Sequence, residues 1–167
     1  TILVSTMYAN NETGSLLPIA EIGRVLKEHP AAYHVDAVQA VGKLEILPEE
    51  LGIDFLSASA HKFHGPKGIG FLYAASTDFD PYLHGGDQEQ KKRAGTENLP
   101  AIIGMVAALK DDFEHLESNF EKVQQLKDTF LNEIAETDYY LNQGKNQLPY
   151  VLNIGFPGQR NDLLLLR

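Results

Sequence analysis

The sequence contains no cysteine, which excludes disulfides and thiolate metal sites, and we predict no metal site. Long apolar runs are also absent, since a run such as Leu163–Leu166 is far too short to cross a bilayer. With no signal peptide either, a cytoplasmic origin is the default expectation. Basic residues are scarce: 14 Lys and Arg against 23 Asp and Glu give a net charge of −9, which argues against a nucleic-acid partner.

The composition that is present is typical of a globular protein. The chain has 167 residues, of which 43% are hydrophobic and 9% aromatic, enough to bury a core. It opens directly on the strand-like residues 1–5 and stops after an apolar run. We interpret it as an interior piece of a longer protein.

The first candidate for chemistry is Lys62. An apolar, strand-like run over 53–58 precedes it, and the glycine-punctuated segment 65–70 follows it. An amine held in place in this way can form a Schiff base with a carbonyl when burial or a nearby positive charge lowers its pKa. The alternative is a lysine that caps the strand and points into water.

A second strand-like run, 32–35, leads into an acid and an amide, Asp36 and Gln39. Ligands of α/β sheets gather at the carboxyl ends of parallel strands. We therefore expect Asp36, Gln39, His61 and Lys62 to converge on one crevice.

These pieces belong to an ordered set of motifs that covers nearly the whole chain. In this order the chain resembles the pyridoxal-phosphate-dependent cysteine desulfurases of the class V aminotransferase superfamily, in the branch that supplies sulfur for iron–sulfur clusters and nitrogenase-type cofactors. The motifs are Asn10-Asn11-Glu12-Thr13-Gly14, His34-Val35-Asp36-Ala37-Val38-Gln39, Ser59-Ala60-His61-Lys62, Gly65-Pro66-Lys67-Gly68-Ile69-Gly70, Gly85-Gly86-Asp87-Gln88-Glu89 and Arg93-Ala94-Gly95-Thr96-Glu97-Asn98.

The resemblance implies an α/β fold of the fold-type-I, aspartate aminotransferase-like class. Residues 1–112 would be part of the pyridoxal-phosphate-binding large domain, with a mainly parallel sheet, and 113–167 the truncated beginning of a small C-terminal α+β domain. The parent protein would convert L-cysteine to L-alanine and pass the sulfur to an enzyme cysteine as a persulfide, for iron–sulfur cluster assembly or tRNA thiolation. That cysteine and the arginine for the substrate carboxylate would lie outside this chain, so we expect the chain alone to be inactive.

The resemblance also assigns roles around the cofactor ring. Lys62 would hold pyridoxal phosphate covalently and move the α-proton of the substrate. Asp36 would hydrogen-bond to the pyridine nitrogen and Gln39 to the phenolic oxygen, while Asn11 would lie beside the cofactor and the substrate carboxylate. An acid suits the nitrogen because it keeps the ring protonated and able to accept electrons.

Three further residues are implied for the cofactor phosphate. Ser59 and His61 would donate hydrogen bonds to it, and Thr96 would reach the phosphate in a neighbouring subunit. The resemblance therefore implies a homodimer, together with a sulfur-acceptor or scaffold protein as partner.

Two other functions stay open. One is another enzyme of the same fold, such as a selenocysteine lyase or a different class V aminotransferase. The second is a non-catalytic piece that serves as a scaffold or docking unit.

Secondary structure elsewhere follows from periodicity and turn residues. We predict a helix after Pro18, and a strand over 69–74 in an antiparallel hairpin with the strand before Lys62. A long helix is predicted from Pro100 to Ile134, with a bend near Asp111-Asp112, followed by strands at 139–141 and 151–154 and a final helix.

Overall fold

The computed structural model describes residues 1–164 and divides the chain into two compact units. The first contains Thr1–Tyr8 and Pro18–Leu116, and the second contains Ala9–Leu17 and the chain from Glu117 onward. No helix within residues 1–164 is long and apolar enough to span a membrane.

The first unit is built on a four-stranded sheet. Neighbouring strands follow the chain order, and β1–β2 and β2–β3 are parallel, whereas β3–β4 is antiparallel. This mainly parallel sheet confirms the predicted α/β class, and the antiparallel pair confirms the hairpin after Lys62. The strands are β1 (Leu3–Met7), β2 (Ala32–Asp36), β3 (Phe55–Ser59) and β4 (Gly70–Ala74).

Alternation along the strands places the core on one face of this sheet. The inward side chains of β2 and β3, namely Tyr33, Val35, Leu56 and Ala58, are each 7% exposed or less. The strand before Lys62 starts later than expected, at Phe55, and the backbone NH of Ile53 donates to Pro48 O in the preceding turn.

Two helices belong to this unit. Helix α1 (Ile19–Leu26) begins directly after Pro18 as predicted and buries Ile19 and Gly23. Helix α2 (Leu99–Glu114) is capped by Asn98, whose Oδ1 accepts a hydrogen bond from the Ala101 NH over 3.3 Å.

The predicted long helix is two helices, and the break lies at His115, slightly later than the predicted bend near Asp111-Asp112. Helix α2 ends at Glu114 and α3 (Leu116–Glu133) follows His115, whose φ of −114° and ψ of 13° are not helical. Asp112 lies within α2 and is buried, at 2% exposure.

The second unit contains short elements around a loop from the beginning of the chain. In that loop, Asn10 Oδ1 accepts hydrogen bonds from the backbone NH groups of Glu12 and Thr13. The side-chain amide of Gln147 donates to Thr13 O, and Lys127 Nζ donates to Gln147 Oε1 over 2.7 Å. These bonds fix the loop to the later part of the chain. The short elements are β5 (Tyr140–Leu141), β6 (Ile154–Gly155) and α4 (Asn161–Leu164).

The predicted strand at 139–141 is thus present, and the one predicted at 151–154 is shorter and lies later. The two pair in antiparallel fashion, with Tyr140 opposite Gly155. The proposed domain division at 112 concerns the whole protein and stays a prediction. Within this chain the compact units join residues 9–17 to the later residues instead, through the hydrogen bonds of Gln147.

Tyr33 gives the first unit a testable dependence on alkaline pH. It is 1% exposed, its hydroxyl hydrogen-bonds with Thr6 Oγ1 over 3.0 Å, and burial raises the pKa of its phenol above 10.0 despite a smaller lowering by Thr6. The unfolded chain loses this proton at lower pH than the folded chain, so the stabilisation is complete below pH 10 and is lost as pH rises through the folded-state pKa. We expect the unfolding free energy of Tyr33→Phe to fall less steeply with rising pH than that of wild type. The difference between the two slopes cannot exceed about 1.4 kcal/mol per pH unit, the value for one proton.

Urea unfolding at pH 8 to 11 measures this slope. The matched control is Tyr82→Phe, because Tyr82 is 93% exposed and is solvated in both states. Equal alkaline slopes in wild type and Tyr33→Phe would contradict the prediction.

Candidate active site

The carboxyl ends of β2 and β3 carry the first group of predicted site residues. Asp36 is the last residue of β2 and is paired in register with Ser57 of β3. Its Oδ1 accepts a hydrogen bond from the Val38 NH over 3.0 Å, and the carboxylate is exposed. Gln39 follows in a half-buried helical turn, which begins where the Ala37 NH donates to Ser57 O over 2.9 Å. The sheet therefore places Asp36 and Gln39 at the edge where β3 ends.

Lys62 lies in a tight turn that follows β3 directly. The turn is a 3₁₀ helix, Ala60–Lys62, closed by hydrogen bonds from the NH groups of Phe63 and Gly65 to Ala60 O over 3.0 and 2.9 Å. Ala60 is 0% and Phe63 1% exposed, so buried side chains lie on either side of the exposed pair His61 and Lys62. The turn is anchored, and the lysine that it carries is exposed.

Lys62 lies near a second lysine, Lys43. Lys62 is exposed, so burial is not present. A positive charge is nearby, because Lys62 contributes to lowering the pKa of Lys43, after the larger effect of burial, and Asp112 opposes both. Lys43 Nζ also donates to Gln39 O over 3.1 Å. Two ammonium groups thus lie beside the turns that carry Gln39 and Lys62.

The two residues predicted to bind phosphate are in direct contact. Ser59 Oγ and His61 Nδ1 are 2.9 Å apart, at the end of β3 and in the turn that follows it. A hydroxyl and an imidazole so close together can donate to oxygens of one phosphate group. With Lys62 next in the chain, these side chains fit a phosphorylated ligand that carries a carbonyl.

His34 has a structural role rather than a place in this group. Its Nδ1 hydrogen-bonds with Ser5 Oγ over 2.7 Å and its Nε2 with Ser57 Oγ over 3.2 Å. Both ring nitrogens are therefore engaged across three strands.

Two predicted residues are not joined to this group. Asn11 is exposed in the loop 9–17, which belongs to the second compact unit. Thr96 is exposed in the loop between β4 and α2, outside the hydrogen bonds that organise Asp36 and the Ser59–His61 pair. Their predicted roles therefore rest on resemblance.

A cleft of about 660 Å³ in the first unit lies at the other end of the sheet. Its lining includes Ala32 and Tyr33 at the start of β2, and Asp54 and Phe55 at the start of β3. Asp36 and Ser59 end the same strands, so this cleft is not the predicted site.

Asp112 was not among the predicted site residues, although its carboxylate contacts the segment that follows Lys62. His64 Nδ1 donates to Asp112 Oδ1 over 2.8 Å. A sequence signal was present, because Asp112 continues the inward stripe of α2 formed by Ile102, Met105 and Leu109 at helical spacing. An acid on such a stripe indicates a buried polar contact.

Comparison with known proteins agrees with the fold and the motifs. The chain is 48% identical over 170 residues to the putative cysteine desulfurase IscS 1 of Bacillus subtilis, covering 99% of this chain and 45% of that protein. A solved structure named as a NifS-like protein superimposes with a TM-score of 0.93 at 36% identity, covering 98% of this chain and 46% of that one. SspA in complex with cysteine superimposes with a TM-score of 0.83, also at 36% identity, covering 99% and 47%.

The mainly parallel sheet and these neighbours confirm the predicted α/β, fold-type-I class for this part of the protein. The family model described as aminotransferase class-V matches residues 1–166, and the chain belongs to that family. It spans less than half the length of the curated relative described above.

Proposed function

We propose that this chain is the cofactor-binding part of a cysteine desulfurase that converts L-cysteine to L-alanine and passes the sulfur to an enzyme cysteine as a persulfide. The observation that carries the proposal is the arrangement at the end of β3, where Lys62 directly follows the hydrogen-bonded pair Ser59–His61. Its similarity to a putative cysteine desulfurase and to a cysteine-bound protein supports the substrate.

The residues at the strand ends fit pyridoxal phosphate by their chemistry. Ser59 and His61 would hold the phosphate, and Lys62 Nζ would hold the cofactor covalently. The exposed carboxylate of Asp36 would bind the pyridine nitrogen, and Gln39 the phenolic oxygen. When bound, pyridoxal phosphate supplies an electron-accepting ring that stabilises negative charge at the substrate α-carbon.

The catalytic task of this chain would then be proton movement. Lys62, released from its covalent role by the substrate amine, would take the α-proton and later return a proton to the product. The anchored turn keeps its backbone fixed, while the exposed side chain is free to move between these tasks. Asn11 would orient the substrate carboxylate from its own loop.

A homodimer is part of the proposal, because Thr96 would reach the phosphate bound by the neighbouring subunit. A sulfur-acceptor or scaffold protein would receive the persulfide sulfur. A cytoplasmic location stays a prediction.

The test is to map the lysine that reacts with pyridoxal phosphate. The chain is incubated with the cofactor, reduced with borohydride and digested, and the labelled peptides are identified by mass spectrometry. We expect label on Lys62 in preference to Lys43 and Lys67. Label spread over exposed lysines in proportion to their exposure would contradict the assignment. In the full-length protein, alanine release from L-cysteine separates a desulfurase from a scaffold, and comparison with L-selenocysteine separates it from a lyase.

A further inference from the structure

A buried carboxylate lies under the Lys62 turn. Asp112 is 2% exposed, and Oδ1 accepts the hydrogen bond from His64 Nδ1, whereas Oδ2 is buried without a hydrogen-bond partner. Burying a carboxylate costs free energy, which the hydrogen bond from His64 and the charge of the nearby Lys43, whose pKa is lowered by burial and raised by Asp112, offset. A buried ion pair is nevertheless often no more stabilising than apolar packing of similar volume. An apolar residue would suit this inward position of α2 better, so stability alone does not account for the acid.

His64 connects this carboxylate to the backbone of the Lys62 turn. It comes two residues after Lys62 and 48 residues before Asp112 in the sequence. Its φ of 64° lies in the left-handed region, which is unfavourable for a residue other than glycine. The ring is 80% exposed, so burial of the imidazole does not hold this conformation. The hydrogen bond from the Gly65 NH to Ala60 O spans His64 and favours a left-handed residue there, as at a helix C-terminus, and the hydrogen bond to Asp112 holds its side chain.

The turn that carries Gln39 meets the same carboxylate. Gly42 has a φ of +76°, and a Cβ at this position would lie 2.8 Å from Asp112 Oδ2 and 2.7 Å from Phe63 Cβ. Only glycine allows the two turns and α2 to approach this closely. Asp112 therefore lies where the segments that carry Gln39 and Lys62 come together.

We propose that Asp112 is a positioning residue, which through His64 and its contact with Gly42 fixes the Lys62 turn against the Gln39 turn. This inference rests on the proposed function for its meaning in catalysis. We call the contacts of Asp112 with His64 and Gly42 the Asp112 clamp. Its geometry can be tested without the cofactor. Asp112 touches neither cofactor nor substrate in this proposal and acts only through the two turns.

The test uses His64→Asn in the full chain. Asparagine tolerates left-handed φ but is too short to replace the imidazole, so the variant removes the contact and keeps the backbone preference. Because the side chain is exposed, the substitution leaves the core intact. We expect amide exchange at Phe63 and Gly65 to accelerate about tenfold relative to Val35, as for loss of a hydrogen bond to a charged group.

A second measurement connects the clamp to the lysine. In the pyridoxal-phosphate and borohydride experiment, the ratio of label on Lys62 to label on Lys67 should fall by about tenfold in His64→Asn, in line with the loosened turn. Asp112→Asn keeps an acceptor for His64 and should retain the wild-type ratio, whereas Asp112→Leu should lose it. If Asp112→Leu does not fold, His64→Asn and Asp112→Asn still decide the matter.

The outcomes separate the clamp from the function. Unchanged exchange at Phe63 and Gly65 in His64→Asn, with only a lower melting temperature, would show a merely structural pair and overturn the inference. Faster exchange with an unchanged labelling ratio would also overturn it, because the turn would then not position Lys62. If wild type is not labelled at Lys62 but exchange responds, the proposed function fails and the clamp stands.

Discussion

Lys62→Arg should abolish borohydride-stable attachment of pyridoxal phosphate and reduce cysteine desulfurase activity of the full-length protein on the order of 10² to 10⁴-fold. Arginine keeps the positive charge and nearly the length of lysine, but it cannot be deprotonated in proteins and forms no Schiff base. Lys62 is exposed on its turn, so in the absence of cofactor the substitution should leave the unfolding midpoint unchanged. Activity and stability are thus expected to separate.

The matched control is Lys67→Arg, an exposed lysine in the segment that leads into β4. Alanine formation from L-cysteine and the visible absorption of the bound cofactor are measured for both variants. Lys67→Arg should behave as wild type. Retention of cofactor label and activity in Lys62→Arg would place the chemistry on another lysine, and Lys43 would be the next to test.

The sequence was sufficient for the parts of the fold that depend on local patterns. Pro18 marks the start of α1, and the glycines of 65–70 predict the antiparallel return of β4. The start of β3 was predicted two residues early, at Ile53, whose NH donates to Pro48 O in the preceding turn, whereas the strand begins at Phe55. The mainly apolar run 53–58 does not distinguish the last turn residue from the first strand residue.

The candidate site was predictable to the extent that it lies on strand ends. Asp36 and Ser59 each close a strand, so parallel pairing alone brings them to one edge. The fixed spacing in the motif then places His61 against Ser59. Asn11 and Thr96 lie on loops, and no local rule determines where a loop residue points.

Asp112 shows why the remainder was missed. The apolar spacing of α2 indicates that Asp112 faces inward, whereas Asp111 lies off that stripe and is exposed. The spacing does not give the partner of Asp112, because His64 lies 48 residues away in the sequence. The hydrogen bond between His64 and Asp112 therefore cannot be predicted from one sequence.

Gly23→Ala should destabilise the first unit by about 3 kcal/mol or more, although alanine is the better helix former. Gly23 is buried in α1, and a Cβ there would lie 2.0 Å from Leu51 O. The obstacle is a backbone atom, so no side-chain rotation relieves the clash, and α1 or the turn at 47–53 must move. That turn leads into β3, and its displacement would also disturb the strand that carries Ser59 into the Lys62 turn.

Urea unfolding of Gly23→Ala and of Ala20→Gly measures the balance between close packing and helix propensity in one helix. Ala20 is exposed, so Ala20→Gly should cost only about 1 kcal/mol, the difference in propensity. If close packing outweighs helix propensity, Gly23→Ala loses more unfolding free energy than Ala20→Gly. A gain in stability for Gly23→Ala would mean that propensity decides and that α1 does not approach Leu51 this closely. If the free energy of amide protection at Phe63 falls in Gly23→Ala by as much as the unfolding free energy, the effect reaches the Lys62 turn through β3.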